Sequence, residues 1–174
     1  MTVSSANNLY MVKNVFVMLS LEYIAGFVDG EGAFFFGVGG GITPHVTVSN
    51  CYRPVLEEIH QMFGGHIHTL QSINAPLYQL DFTKLEEAKR LIETLLPHLI
   101  VKRQAATWLL EYIETRLQTI NQTSSRHPEF TLHELELVKV FMERTGSFGV
   151  QYSDILKRIE RKSLGAKNIY SVRN

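Results

Sequence analysis

Glu31 is the acidic residue in the sequence that is best placed for a chemical role, because it stands between Gly30 and Gly32 at the expected end of a helix. A carboxylate is unfavourable at a helix C-terminus, where the backbone carbonyls already form the negative pole. A bound divalent cation would reverse that balance, since carboxylate and carbonyl oxygens are ligands that suit Mg²⁺. On these grounds alone, a metal site and an ordinary surface glutamate in a glycine turn are equally acceptable interpretations.

The helix that carries Glu31 is predicted to begin at Ser20, since serine is a favoured N-cap residue. Gly26 and Gly30 lie one turn apart in this helix, and each costs roughly 1 kcal/mol relative to alanine. Such a pair indicates that another backbone approaches this side of the helix closely. The apolar residues at helical spacing form one face of this helix: Leu21, Ile24, Ala25 and Val28.

Residues 23–32 resemble the signature motif of the LAGLIDADG homing endonucleases. The similarity is specific, because it includes the glycines, the Ala-Gly pair and the final acid together. One copy of the motif is present, as in family members that act as homodimers with crossed motif helices. The resemblance implies that Glu31 and the carbonyl of Gly30 bind Mg²⁺, while Asp29 is a structural hydrogen-bond acceptor. The residues that it places at the dimer interface are Tyr23, Ala25, Gly26, Asp29 and Gly30.

Three further residues are expected near the scissile phosphate, where hydrolysis needs an activated water and a neighbouring cation. Residues 97–105 resemble the family segment that carries a basic residue into the catalytic pocket, which points to Lys102. A lysine is less favourable at a helix start than at a helix end, and this also supports a functional role. Asn50 and Arg53 match a water-organising amide and a phosphate-facing cation, although the basic residue is shifted relative to the family.

A polar face of a β-sheet is expected to contact the DNA major groove. Strand alternation places threonine, histidine, serine and glutamine side chains on one face, and these can contact base edges. Arg53 is the only lysine or arginine between Ala33 and Thr83, and Phe35 and Gly37 stand where the family usually has polar residues. The expected DNA-binding residues are Thr43, His45, Thr47, Ser49, His66, His68, Gln71, Gln79 and Arg103.

The overall charge is balanced, with 17 basic and 17 acidic residues among 174. DNA-binding proteins usually have a basic excess, which here is confined to residues 155–174, where six basic residues accompany the single acid Glu160. The neutral sheet argues against tight, salt-sensitive DNA binding. Phosphate contacts are therefore expected from outside the sheet: Lys102, Arg103, Arg116, Arg126 and the basic tail.

Cysteine content and hydropathy exclude several protein classes. Cys51 is the only cysteine, which excludes an internal disulfide and a cysteine-based zinc site. The apolar run 15–21 is too short to span a membrane, and Lys13 is the only basic residue before it, so a signal or transit peptide is poorly supported. We therefore expect an intracellular protein, without distinguishing an organelle from an archaeal or bacterial cell.

The predicted elements follow the order helix, hairpin, helix, hairpin and then helices. This order predicts an α+β domain of αββαββα type, with a four-stranded antiparallel sheet covered by helices on one face and extra C-terminal helices. Thr83 with Glu86 and Thr131 with Glu134 are predicted capping boxes, and Ser153 is predicted to cap a last helix. The expected division is a lead-in at 1–19, the LAGLIDADG endonuclease core at 20–120, and C-terminal helices with a basic tail at 121–174 on the same domain.

The function implied by the resemblance is a site-specific double-strand DNA endonuclease that promotes intron mobility. It would hydrolyse phosphodiester bonds with Mg²⁺ as a homodimer, on a roughly palindromic target. One alternative is an intron RNA-binding maturase, which the neutral sheet favours. The other is a non-cutting DNA-binding dimer, and the presence of Glu31, Asn50 and Lys102 argues against it.

Overall fold

Six helices and one sheet form the described part of a computed structural model, which comprises residues 19–38, 41–71, 76–125, 128–147 and 150–171. The predicted element order is confirmed. The elements are α1 (Leu21–Glu31), β1 (Gly32–Val38), β2 (Ile42–Asn50), α2 (Arg53–Phe63), β3 (His66–Leu70), β4 (Leu77–Phe82), α3 (Leu85–Leu95), α4 (Arg103–Asn121), α5 (Leu132–Thr145) and α6 (Val150–Ser171).

The four strands form one antiparallel sheet in the order β1-β2-β4-β3, so the two hairpins meet through their second strands. Val48 of β2 lies opposite Leu80 of β4 at this junction, and both side chains are fully buried. Strand alternation then turns the neighbouring polar residues to the other face of the sheet, away from this core. The predicted α+β class, with one covered face and one open face, is confirmed.

The core lies between the sheet and the helices. The ring of Phe36 on β1 packs edge-on against Tyr112 of α4, at 4.8 Å between centroids, and against Phe141 of α5, at 5.0 Å. Burial raises the pKa of Tyr112 far above its ordinary range, and its hydroxyl donates to the carbonyl of Ile42 at 3.4 Å. Ile155 of α6 is also fully buried, so α5 and α6 share one core with the sheet.

A buried ion pair joins α4 to α5. Arg116 donates to Glu134 at 3.3 Å and to the carbonyl of Pro128 at 2.8 Å. Its guanidinium also lies 4.2 Å from the ring centroid of Phe130. The expectation that Arg116 contacts phosphate is therefore wrong, because its side chain satisfies acceptors inside the protein and is not available at the surface.

The helix starts agree only in part with the predicted caps. Thr131 and Glu134 form the predicted capping box, with both reciprocal hydrogen bonds. Thr83 and Glu86 do not, since α3 begins at Leu85 and Lys84 pairs with Glu87 at 2.9 Å instead.

The last helix also differs from its prediction. Ser153 lies inside α6, which starts at Val150 and is 22 residues long, where about ten were expected. Arg126 and most of the lead-in at 1–19 lie outside the described residues. Within the part that the structure describes, no helix is both long and apolar enough to cross a membrane.

Candidate functional site

Glu31 is the last residue of α1, and its side chain is exposed. It makes no hydrogen bond or ion pair with any other residue that the structure describes. Gly32 follows as the C-cap and donates its N–H to the carbonyl of Val28. A Cβ atom at Gly32 would lie 2.6 Å from that carbonyl oxygen, so only glycine lets β1 leave the helix at this angle. The junction therefore presents a free carboxylate at the edge of the sheet.

Lys102, the N-cap residue of α4, places its ammonium group on the C-terminus of α1. Its Nζ atom donates to the carbonyls of Val28 at 3.2 Å, Gly30 at 3.4 Å and Asp29. A cation is favourable at this negative helix pole. The ammonium thus offsets the unfavourable placement of Glu31 at the same helix end, and it lies beside the carbonyl that was predicted to bind metal.

Asp29 makes the reciprocal contact with the start of α4. Its carboxylate accepts backbone N–H groups from Ile100 at 2.7 Å, Val101 at 3.1 Å and Lys102 at 2.8 Å. Burial by itself raises the pKa of Asp29, but the three N–H donors and the Lys102 ammonium outweigh it, so the pKa falls below its ordinary value. Both oxygens are engaged in these bonds, which is a structural role.

The outer face of α1 carries an aromatic pair and two open glycines. The rings of Tyr23 and Phe27 stack with centroids 6.3 Å apart, and Tyr23 is 52% exposed. Cβ atoms at Gly26 and Gly30 would meet no atom of the residues that the structure describes within 4 Å. Ala25, in contrast, is fully buried in the chain's own core, so its predicted place at a dimer interface is wrong. The motif pattern alone did not reveal which residue of its Ala-Gly pair faces inward.

Asn50 and Arg53 lie at the same edge of the sheet as Glu31, because Val48 of β2 pairs with Gly32 directly after Glu31. The Oδ1 atom of Asn50 accepts the N–H of Tyr52 at 2.8 Å, which shapes the entry to α2. The Nε atom of Arg53 donates to Glu57 at 2.7 Å, and its guanidinium lies 5.5 Å from the Tyr78 ring. Both side chains therefore contact residues that lie close to them at this end of the sheet.

On the open face of the sheet, the orientation of His45 depends on Phe35 and Gly37, which stand where the LAGLIDADG family usually has polar residues. His45 stacks on Phe35, its register partner, with ring centroids 4.8 Å apart and planes at 9°. A Cβ atom at Gly37 would lie 2.8 Å from Nε2 of His45, so the glycine provides the space that this ring occupies. Phe35 and Gly37 thus fix the orientation of a predicted DNA-contacting residue.

A chain of polar contacts crosses the open face from β2 to β3. Ser49 donates to Oε1 of Gln79 at 3.3 Å, and Nε2 of Gln79 donates to Asp81 at 2.7 Å. The other oxygen of Asp81 lies 3.4 Å from Nε2 of His68, whose ring is 5.8 Å from that of His66. Asp81 is absent from the predicted site, although the alternation of β4 places it on the same face as Gln79.

The remaining predicted DNA-binding residues have varied surroundings. Thr47 is only 8% exposed, whereas Thr43 is partly exposed on the same face. Gln71 follows the end of β3 and is exposed. Arg103 is exposed and donates to the carbonyls of Leu99 at 2.7 Å and Pro97 at 3.2 Å, which draws its guanidinium toward the loop before α4.

The donor set at the end of α1 fits a hard divalent cation. The Glu31 carboxylate and the Gly30 carbonyl are oxygen donors of the type that Mg²⁺ takes. Across the described residues, no three histidine, cysteine, aspartate or glutamate side chains group to hold a metal ion. A metal ion at this position would therefore need further ligands besides these two oxygen donors.

The αββαββα core and the position of its first helix define the LAGLIDADG homing endonuclease fold. Similar solved structures include the homing endonuclease I-TnaI, with a TM-score of 0.62 and 20% identity over 83% of this chain and 98% of that chain. The archaeal intron-encoded homing endonuclease I-Vdi141I in complex with DNA gives 0.61 and 20% over 83% and 96%. The homing endonuclease I-CvuI, in complex with the I-CreI target in the presence of Mg with the DNA not cleaved, gives 0.62 and 16% over 82% and 94%.

At these identities the structural likeness establishes the fold. No protein-family model matches the sequence, and no curated protein matches it.

Proposed function

We propose that the protein is a homodimeric, Mg²⁺-dependent, site-specific double-strand DNA endonuclease that serves intron mobility. The observation that carries the proposal is the free carboxylate of Glu31 at the end of α1, directly beside a helix face with two open glycines. Structures with the same fold include a homing endonuclease solved with target DNA and Mg, and an intron-encoded one solved with DNA.

Dimer formation through α1 would complete the site. Gly26 and Gly30 leave space on the outer face for a second backbone, and Tyr23 offers an exposed aromatic ring beside them. Two crossed copies of α1 would bring two Glu31 carboxylates together. Their mutual repulsion is relieved by a shared cation, so we expect Mg²⁺ binding and dimer stability to be linked.

The cleavage site would combine groups from the end of α1 and the start of α4. Glu31 and the carbonyl of Gly30 would hold Mg²⁺, which when bound supplies an acidified water and neutralises charge that develops on the phosphate. Lys102 has its ammonium at this same helix end, where exchange of one of its three carbonyl contacts would let it donate to a phosphate oxygen. Asn50 and Arg53, at the adjoining sheet edge, are suited to orient water and contact the flanking phosphate.

The open face of the sheet would lie in the major groove. Its histidine, threonine, serine and glutamine side chains are hydrogen-bonding groups that can contact base edges. Two sheets related by the dimer axis would contact the two halves of a roughly palindromic target. Arg103 lies outside the sheet, where it can contact the backbone of the DNA.

Cleavage selection from a randomised double-stranded DNA library tests the proposal directly. Wild type, Glu31→Gln and the control Glu22→Gln are compared with Mg²⁺ and with EDTA. Glu22 is an exposed acid in the first turn of the same helix, so the control makes the same chemical change away from the site.

We expect wild type and Glu22→Gln to enrich one pseudo-palindromic cut site with Mg²⁺ only. Glu31→Gln should lose at least about 100-fold in cleavage rate and still bind that site. Binding without cleavage by the wild type would identify a silent DNA-binding dimer instead. If DNA is neither cut nor bound, the proposal is wrong, and structured intron RNA becomes the ligand to test.

A further inference from the structure

Asp81 is the only residue with a fixed formal charge among the outward-facing positions of the described strands. An acid on a surface that binds DNA costs affinity, because it faces a polyanion. Its side chain is 18% exposed, and it has its two oxygens directed at Gln79 and His68. We infer that Asp81 is a positioning residue that sets the hydrogen-bonding polarity of Gln79 and His68, and thereby determines which base pair this part of the sheet accepts. The inference rests on the proposed DNA-binding function.

The orientation of the Gln79 amide follows from the chemistry of its neighbour. An ionised carboxylate can only accept hydrogen bonds, so the atom 2.7 Å from Asp81 must be the amide nitrogen. The amide oxygen is then turned to the other side, where Ser49 donates to it at 3.3 Å. Without the acid, the terminal torsion of glutamine has two nearly equivalent positions, and the oxygen and nitrogen can exchange places.

When the Gln79 amide is held in one orientation, its acceptor and donor have a fixed order that a base pair can match. Glutamine recognises adenine with its oxygen on the amino group N6 and its nitrogen on the acceptor N7. In this sheet the Gln79 oxygen lies toward Ser49 on β2, and the nitrogen lies along β4 toward Asp81. That order complements adenine on one strand of the duplex and mismatches it on the other. The contact therefore distinguishes A·T from T·A at one position of each half-site.

The same acid also lies beside His68. Nε2 of His68 lies 3.4 Å from Asp81, and the carboxylate favours a proton on this nitrogen. In the neutral ring, Nδ1 is then an acceptor, which suits the amino group of adenine or cytosine. Gln79 and His68 are direct register partners on β4 and β3, so the two oriented groups form one contiguous contact surface.

Asp81→Asn is the informative variant, because asparagine keeps the size of the side chain but can donate as well as accept. Both orientations of the Gln79 amide then find a partner. Wild type, Asp81→Asn, Gln79→Met and the control Glu86→Gln are each tested for binding to the target identified by selection, with every base pair substituted in turn. Glu86 is an exposed acid on α3, so its substitution removes the same charge without altering the sheet.

We expect Asp81→Asn to reduce discrimination between A·T and T·A about tenfold at the position that Gln79→Met also affects, with no change at positions that neither Gln79 nor His68 contacts. Glu86→Gln should keep the wild-type profile. In the free protein, ¹⁵N chemical shifts of His68 should report an Nε2 proton in wild type and a mixture of tautomers in Asp81→Asn.

The possible failures are distinguishable. If wild type shows no sequence preference for DNA, the proposed function and this inference both fail. If wild type is selective but Asp81→Asn keeps the same profile and the same His68 tautomer, only the inference is overturned. A change only at positions that Gln79→Met does not affect would also overturn it, because the effect of Asp81 would then not act through Gln79. The tautomer measurement needs a folded protein, and the amide spectrum recorded with it establishes that.

Discussion

Asp29 and Lys102 each hold the end of the other's helix. The carboxylate accepts three N–H groups at the start of α4, and the ammonium donates to three carbonyls at the end of α1. Both contacts match charge to the helix pole that favours it. The position of Glu31 therefore depends on these two side chains, since α1 ends where they meet.

Asp29 should make the free energy of unfolding depend on pH. Its pKa is depressed in the folded protein, so its stabilising contribution is complete above the ordinary aspartate pKa of about 3.9 and is lost as pH falls through the lower folded value. We expect Asp29→Asn to cost about 1–2 kcal/mol at pH 7, because N–H groups lose an ionised acceptor. The difference from wild type should shrink below about pH 4. Urea unfolding from pH 7 to pH 2.5 measures it, with the exposed acid Glu136→Gln as the control.

An equal effect of Asp29→Asn at pH 7 and pH 2.5 would contradict this account, because it would mean that the carboxylate charge contributes nothing. A similar pH-dependent loss in Glu136→Gln would point to a general charge effect instead.

Lys102 combines a structural contact with a proposed catalytic one, and two substitutions separate them. Lys102→Met removes the ammonium from the α1 carbonyls, which should cost about 1 kcal/mol of stability and abolish cleavage. Lys102→Arg keeps a cation and should recover most of the stability, but a planar guanidinium differs in shape, so cleavage should stay impaired. Urea unfolding and single-turnover cleavage measure the two effects. Full cleavage by Lys102→Met would exclude a catalytic role.

At the residue scale, the sequence resemblance pointed to Glu31 and Lys102 as site residues. It did not show which contacts place them there. Nothing in the spacing of residues 29 and 102 indicates that they touch, because that contact exists only once α4 packs beside α1. Asp81 was missed for a different reason. Its alternation with Gln79 was visible in the sequence, but an acid did not fit the expectation for a DNA-facing surface.

At the scale of elements, α1 has two opposite packing requirements. Its inner face is sealed in the core by Ile24, Ala25 and Val28, while its outer face leaves open space at Gly26 and Gly30. Binary patterning predicts the inner face correctly. The outer face carries glycines that no contact among the described residues requires, which is why a second chain is the proposed partner.

Two glycine substitutions in and after α1 should therefore have opposite effects. Gly26→Leu has space around it and improves helix propensity, so the protomer should stay as stable, while the proposed dimer is lost. Gly32→Ala forces a Cβ atom against the carbonyl of Val28 and should destabilise the protomer by about 1–3 kcal/mol. Sedimentation velocity at micromolar concentration and urea unfolding measure the two outcomes. A dimeric Gly26→Leu, or a monomeric wild type, would exclude α1 as the interface.

The predicted helix ends show where local signals are sufficient. Thr131 and Glu134 cap α5 because both bonds form within one turn and need no other element. Thr83 and Glu86 have the same spacing, yet Glu87 is recruited by Lys84 and by the N–H of Gly65 on the neighbouring hairpin. Tertiary contacts of this kind decide a helix start whenever two local patterns compete.

At the scale of the whole molecule, the fold class followed from the order of elements and from strand alternation. The strand order and the burial of Arg116 did not, because both depend on which hairpins and helices meet. Overall neutrality was the feature that the resemblance explained least. The structure reduces further the number of cations that face outward, since Arg116 is buried and the ammonium of Lys102 donates to carbonyls within the protein.

The proposed DNA complex should therefore depend weakly on salt. With few cations on the sheet, we expect the slope of log Kd against log[KCl] to be below about 5 in magnitude, which corresponds to about five phosphate contacts. Thr43→Lys adds one cation to each open face and should steepen the slope by about 2 in a dimer. Fluorescence anisotropy between 50 and 300 mM KCl tests this. A slope near 10 for wild type would mean that cations outside the sheet dominate binding.

The reciprocal contact between Asp29 and Lys102 can form only after both residues have been synthesised. The two residues are 73 positions apart in the chain. At about 5–20 residues per second, a ribosome needs roughly 4–15 seconds to add Lys102 after Asp29. During that interval a nascent chain already contains Glu31 but lacks the residue that holds its helix end. A chain that stops before Lys102 would therefore carry the acid without the contact that holds its helix end, so the proposed cutting site can form only after residue 102 has been added.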